Sequence, residues 1–296
     1  AWQLLPLAIL LGMFKAFVGF NVSHDAIHGS YSTHKTFNRI LALFSFNLLG
    51  GNAYLWDITH NQVHHTYTNI PGHDEDIEVA PGMLRLSPED KRKGFMRYQQ
   101  YYAFLLYGLS YFSWIFRKDY KKFFAKKIGA KDNTQHPKKE YFKLFLFKGL
   151  YYVLFIVLPL IVLDITWWQF IIGFLAMQFS AGIVLGLVFQ LAHVVEGLDF
   201  PYPDEKGNIE EAWAVHQMQT TANFARKNRL INWFVGGLNF QIEHHLFPHI
   251  SHVHYPKMSV IVKQTAKEFG VPYHEYETMP AAISSHYRML KRFGRA

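Results

Sequence analysis

The sequence predicts an all-α polytopic membrane bundle, one domain over residues 1–296, with a polar, His-rich cap that holds a di-metal site. Three observations predict it. Half of the residues are hydrophobic and 17% are aromatic, yet mean hydropathy over the whole chain is near zero. Long apolar runs therefore alternate with basic, His-rich stretches, as in a membrane protein with a sizeable aqueous cap. Histidines at i, i+4 and i, i+1 spacing recur in HDAIH (24–28) and HNQVHH (60–65), and QIEHH (241–245) repeats the pattern with an amide in first place. Finally, there is no cysteine. Disulfides, iron–sulfur clusters, thiolate haem ligation and Cys-type zinc sites are excluded, so any metal is held by His, carboxylate, amide or water.

Residues 1–20 are long enough to span a bilayer, with Lys15 their only charge. They begin inside an apolar run with no initiator Met and no signal-peptide pattern, which reads as an N-terminally trimmed chain with an earlier helix before it. Residues 40–56 are apolar but short and broken by Gly50-Gly51, which fits a re-entrant or interfacial helix. Residues 66–94, with Pro71, Gly72, Pro81, Gly82 and Pro88, read as a loop whose acidic stretch 73–78 is solvated or supplies hydrogen-bond acceptors to the site. Residues 95–116 mix Tyr and Phe with polar residues, as in a helix lying among headgroups.

From Arg117 to Lys148 there are 11 Lys or Arg residues against Asp119, Asp132 and Glu140. The apolar runs 144–163 and 167–192 follow, joined by 164–166 with Trp167 and Trp168 at the junction, and read as a transmembrane hairpin. Residues 194–296 are too polar to cross again. The positive-inside rule puts 117–148 in the cytoplasm and 164–166 outside. If 40–56 does not cross, every histidine cluster lands on the cytoplasmic face, as a single shared site requires.

In an α-helix His60 and His64 lie one turn apart and His65 sits about 100° round from His64, so three imidazoles share one small volume. The candidate metal ligands are His24, His28, His60, His64, His65, His193, His244 and His245, with Gln241 as a further one. A lone His pair is ordinarily a surface or capping feature. Three clusters beside apolar segments are not. His193, at the end of an apolar helix, would by itself be a capping group, but the topology places it beside the clusters. This supply suits two metals with four or five ligands each, more than a zinc site takes, and points to non-haem iron handling O₂. The metalloprotease motif H-E-x-x-H is absent, since the residue three beyond Glu243 is Leu246. Asp25, Asp57, Glu196, Glu243 and His216 are candidates to accept the second N–H of a ligating imidazole; otherwise they are surface groups. His216 is also the strongest further ligand candidate, and His249, His252 and His254 are hydrogen-bonding neighbours. The remaining histidines read as surface groups.

With HDAIH, HNQVHH and QIEHH in hand, and FQLAH (189–193) ending the last apolar run, the chain resembles the membrane fatty acid desaturases. The context GGLNFQIEHHLFP (236–248) is similar to front-end and related bacterial acyl desaturases, where Gln replaces the first His of the last box. The resemblance implies a di-iron site that uses O₂ and two external electrons to place a cis double bond in the acyl chain of an acyl-CoA or a membrane lipid. It implies that the box histidines are the eight named above, with Gln241 beside the metals. It also implies an electron donor such as cytochrome b5 or ferredoxin, either a separate protein or part of a preceding N-terminal segment, because among these residues His136-Pro-Lys-Lys is all that stands for the His-Pro-Gly-Gly haem motif of fused donors. Nothing points to nucleic acid. Two rivals remain. A membrane hydroxylase or alkane-type monooxygenase would use the same histidines. A metal transporter would place them near the bilayer midplane, whereas these clusters read as polar segments beyond the helix ends. The basic 117–148 belt either docks headgroups, CoA phosphates or an acidic carrier, or only sets topology.

Overall fold

The computed structural model describes residues 2–129, 131–205 and 208–296. Its principal helices are α1 (Leu4–His28), α2 (Lys35–Leu48), α3 (residues 53–67), α4 (residues 99–123), α5 (Lys138–Val162), α6 (Trp167–His193), α7 (Trp213–Thr220), α8 (Arg229–Phe234), α9 (Gln241–Leu246), α10 (Tyr255–Phe269) and α11 (Met279–Arg295). Two short strand pairs complete it. β1 (Lys127–Ile128) pairs antiparallel with β2 (Lys131–Asp132), and β3 (Asn223–Phe224) pairs parallel with β4 (Glu275–Tyr276). Among the described residues α1, α5 and α6 are long and apolar enough to cross a membrane.

The packing of α1 on α6 sets the direction of everything else. Trp2 meets Trp168 at one end with ring centroids 5.7 Å apart. Ala16 and Phe20 join Val188 and Leu191 in one core toward the other end. The two helices are therefore parallel, and His24, His28 and His193 emerge together. Between those points Gly12 is the only residue type that fits, because a Cβ there would lie 2.0 Å from Ser180 Oγ and 2.1 Å from the Met177 carbonyl oxygen. α5 returns antiparallel to α6 and is tied to it by Tyr151, whose hydroxyl accepts from the Gln178 amide at 2.7 Å. Thr166 and Gln169 form a capping box that starts α6.

Two expectations from the sequence need correction. The first cluster does not lie in a polar segment beyond a helix end. No breaker follows the apolar run, so α1 continues through a π-helical turn at Gly19–His24 until Gly29, at φ 74°, closes it. His24 and His28 thus stand on the last turns of the first apolar helix. Nor is the second cluster α-helical, since α3 carries a π-helical turn over Asp57–His64. Such turns recur at functional sites, where they re-aim side chains.

The apolar stretch 40–56 is helix, turn, helix. α2 ends at Leu48, Gly50 takes φ 96°, and the Asn52 side chain accepts from the Leu55 N–H to start α3. α4 runs beyond residue 116 to Phe123 through a further π-helical turn at Trp114–Lys118. One lysine of the basic 117–148 stretch is not a surface group. Lys148 is buried, 2.8 Å from Asp119 Oδ2, and donates to the Gly50 carbonyl at 2.7 Å. α11 is pinned beneath α4 by His286. The Tyr107 hydroxyl donates to its Nε2 at 2.8 Å, and its Nδ1–H donates to the Val194 carbonyl at 2.6 Å. Burial takes this imidazole down to about 4, so it is neutral and satisfied on both sides.

The α1–α6 crossing gives a direct test. Gly12→Ala forces the two backbones apart and should lower stability by about 1–3 kcal/mol, read as a reduced melting temperature of the detergent-solubilised chain. An unchanged melting temperature would show that the crossing tolerates a methyl group.

Candidate metal centre

The eight box and helix-end histidines come from four helices and meet in one volume. α1 supplies His24 and His28, α3 supplies His60, His64 and His65, α6 ends on His193, and α9 carries His244 and His245. All are buried, none more than 7% exposed. They fall into two groups. Ring nitrogens of His24, His28, His60 and His244 lie within 4.8 Å of one another, and so do those of His64, His193 and His245. A third set, His65, His244 and His245, obeys the same limit and joins the two. Ring centroids are 4.5 Å apart for His24 and His28, 4.7 Å for His64 and His193, and 4.3 Å for His65 and His245. Because of the π-helical turn, the His60 and His64 rings stack nearly parallel at 5.0 Å, with His65 crossing His64 at 78°.

The peptide backbone around the clusters is fixed by amide side chains. The Ile242 N–H, at the start of α9, donates to Asn223 Oδ1 at 2.9 Å, which ties α9 to β3. Asn69 Nδ2 donates to the His193 carbonyl at 2.9 Å. Gly236, at φ 57°, brings the segment before α9 against the Phe20 carbonyl, where a Cβ would sit 2.7 Å away. Four elements distant in sequence are thus locked around one point.

The chemistry of the donor set fits metal ions. His28, His60, His64, His65, His193, His244 and His245 each have a buried ring nitrogen with no protein partner. A buried polar atom left unpaired costs about 1–3 kcal/mol, so seven such groups in one volume are not an ordinary core. Meanwhile the outer nitrogens are held. His64 Nδ1 lies 2.8 Å from Asp74 Oδ2, His60 Nδ1 3.2 Å from Asp76 Oδ2, His245 Nδ1 2.7 Å from Gln217 Oε1, and His244 Nδ1 3.3 Å from the Tyr255 hydroxyl. An imidazole that donates Nδ1–H outward keeps its Nε2 lone pair free for a metal. Burial, reinforced by the neighbouring imidazoles, holds His65, His244 and His245 well below the usual range. Burial also takes His60 down to about 3, against the opposing pull of Asp76. At His64 burial pulls the same way, but the Asp74 carboxylate outweighs it and the group is raised. Neutral imidazole is the form a metal binds.

Of the supporting groups expected from sequence, Asp25 alone faces a cluster ring, 3.9 Å from His24 Nδ1, and its other oxygen takes His252 Nδ1 at 2.9 Å. The others are engaged elsewhere. Asp57 accepts from Asn61 and Gln62, four and five residues on in its own helix. Glu196 is drawn outward to Arg288 and Ser285. Glu243 is buried, and it faces Asn223 and Tyr273 because it lies on the side of α9 opposite the rings. His216 is buried on α7 and lies outside the three imidazole groups. Gln241 reaches the centre, with its Nε2 3.0 Å from His193 Nε2. Sequence reasoning missed Asp74, Asp76, Gln217 and Tyr255 as individuals. The acidic run 73–78 was a usable signal for the first two; Gln217 and Tyr255 carry none.

A cavity of about 190 Å³ opens beside the first group, with His24, His60 and Gln241 in its wall. Phe20, Phe46, Leu55, Trp56, Val188 and Phe189 give it a largely apolar lining, which Lys15, Asp76, Lys118, Asp119 and Lys122 interrupt. Asp74→Asn keeps the shape but weakens the acceptor that orients His64, so metal retention against a chelator should fall by about 10–100-fold, measured as metal bound per chain. Asp57→Asn should leave retention unchanged.

The fatty acid desaturase family profile matches residues 1–277. The sn-1 linoleoyl-lipid 6-desaturase of Synechocystis sp. is 41% identical over 291 residues, 98% of this chain and 79% of that protein. The enzyme of the same name from Arthrospira platensis is 36% identical over 98% of this chain and 78% of its own length. The acyl-lipid (8-3)-desaturase of Physcomitrium patens is 36% identical over 97% of this chain and 60% of its own length. A profile covering almost the whole chain, and relatives this similar on either side of every histidine cluster, settle the kinship: the chain belongs to the fatty acid desaturase family.

Proposed function

We propose that the chain is an O₂-dependent di-iron acyl-lipid desaturase, with electrons from a separate donor protein. The observation that carries this is two groups of buried imidazoles with unpartnered nitrogens, the first of them at the wall of a largely apolar cavity. In the reaction two adjacent methylenes lose two hydrogens, and O₂ with two electrons and two protons leaves as two waters. Bound iron would supply the oxidising chemistry for this, which zinc, having no redox change, would not. The ligands by group are His24, His28, His60 and His244, then His64, His193 and His245, with His65 between them and Gln241 adjacent.

The remaining work falls to the protein. Asp74 and Asp76 hold His64 and His60 by their outer nitrogens, which fixes ring orientation. Phe46, Trp56 and Phe189 exclude water and keep an acyl chain extended past the imidazoles, so that one carbon–carbon bond is presented. The Synechocystis and Arthrospira relatives, both named sn-1 linoleoyl-lipid 6-desaturase, support an acyl-lipid substrate and a new double bond at position 6. The parallel α1 and α6, both ending on histidines, together with the basic stretch 117–148, support a multi-pass membrane protein with its metal centre on the cytoplasmic face.

The test is the fatty-acid profile of a host expressing the chain, beside His64→Ala. A new unsaturated fatty acid in the wild type, absent in the variant while the variant remains in the membrane, is the expected result. Equal product from both would overturn the site, and a hydroxylated product would replace desaturation by hydroxylation.

A further inference from the structure

The cavity beside the first imidazole group carries its charge mostly at one place, where Asp76, Lys118, Asp119 and Lys122 enter the wall. Both carboxylates there are matched. Asp76 takes His60 and Lys122, and Asp119 takes Lys148 and the Trp114 indole N–H. The two lysines are not. Lys122 Nζ lies 3.4 Å from Glu75 Oε2 and 3.7 Å from Asp76 Oδ1, yet this buried nitrogen has no hydrogen-bond partner. The Lys118 ammonium forms neither a hydrogen bond nor an ion pair with any described residue, and feels its neighbours only at longer range. Lys118 is half-buried, one turn before Lys122 on α4, and Ser113 of the same lining is exposed where the cavity opens. Lys15, the remaining cation of the wall, is engaged by Tyr151 and Gln178.

Unused N–H donors from two lysines therefore meet at one end of an otherwise apolar cavity, and donors left in such a place call for an acceptor from the ligand. Charge balance is no account of Lys118, since Asp76 and Asp119 already have Lys122 and Lys148. Burial and the neighbouring Lys122 lower the Lys118 ammonium while Asp76 and Asp119 oppose them, but a lysine nitrogen donates N–H whether charged or neutral. An acyl lipid is apolar along its chain, and its ester carbonyl is the acceptor closest to the reacting carbons. Lys122 Nζ reaches Asp76 Oδ1 at 3.7 Å, and the other oxygen of that carboxylate lies 3.2 Å from His60 Nδ1. The lysine nitrogen thus stands within about 9 Å of that imidazole. In an extended chain at about 1.2 Å per bond the ester carbon is about 6 Å from the sixth carbon, and a hydrogen bond adds about 3 Å. The two spans agree.

We propose that Lys118, with Lys122 beside it, is a specificity-determining residue that donates to the ester carbonyl of the acyl lipid and so fixes how many carbons separate the ester from the metal centre. This rests on the desaturase reading above. The chain enters past Ser113, its ester stops at the two lysines, and the apolar remainder of the cavity takes the methyl side.

The experiment uses the full chain purified from membranes and reads binding of two lipids in competition. They share one acyl length and one uncharged headgroup; one is an sn-1 ester and the other the matching ether, which lacks the carbonyl oxygen. Wild type should hold the ester about tenfold more tightly, as one hydrogen bond provides. Lys118→Met should lose that preference and bind the ether as before. Equal binding of ester and ether by wild type overturns the proposal, as does a loss in Lys118→Met that falls on both lipids in parallel, which a purely structural lysine would give. Tight binding regained by an ether with an anionic headgroup also overturns it, since Lys118 would then read headgroup charge. If Lys118→Met does not accumulate, Lys118→Arg carries the test. It keeps the donors but changes their reach, so part of the product should carry its new double bond away from position 6; product formed wholly at that position overturns the proposal. A wild type that prefers the ester but forms no unsaturated product overturns the desaturase reading and not the ester contact.

Discussion

An imidazole that ligates a metal keeps one nitrogen bare while the other is held, as His60, His64, His244 and His245 do here. Seven histidines meet the first condition, and the second is met from outside the cluster by Asp74, Asp76, Gln217 and Tyr255. This division explains much of the surrounding structure. The loop after α3 folds back so that Asp74 reaches His64 and also accepts the Asn69 N–H at 3.0 Å. Gln217 takes Nδ1–H of His245 and the Thr68 hydroxyl, joining α7, α9 and the end of α3 in one network. Without a metal these bare nitrogens oppose folding; with one they bind α1, α3, α6 and α9 together, so metal loading and stability are linked.

The π-helical turns of α1 and α3 serve the same demand. A straight α3 would leave His65 turned away from His60. Widening each helix at Gly19–His24 and Asp57–His64 brings additional rings inward at the expense of regular backbone hydrogen bonding. The close crossing of α1 and α6 at Gly12 then sets where those rings stand relative to His193. Cavity and centre share one wall for the same reason, since α1 and α6 form both.

Much of this was legible in the sequence. Spacing marked the eight histidines, and their helices do bring them together. Apolar length marked α1, α5 and α6, and Gly50-Gly51 marked the break between α2 and α3. The supporting groups were hidden because a hydrogen bond to an imidazole carries no spacing signature. Glu243 adjoins His244 in sequence, yet a helix turns consecutive side chains about 100° apart, so adjacency placed it on the wrong face. Asp74 and Asp76 come from a loop whose path depends on tertiary contacts. Lys15 read as a lone charge in an apolar run, and only the folded chain puts Tyr151 and Gln178 at its ammonium.

The central claim is that these imidazoles form two non-haem iron sites, and the most direct measurement is metal analysis with Mössbauer spectroscopy of the chain purified from membranes in its active state. The account predicts two irons per chain in nitrogen-rich, sulfur-free surroundings. An active chain that holds zinc alone, or no metal, would contradict it.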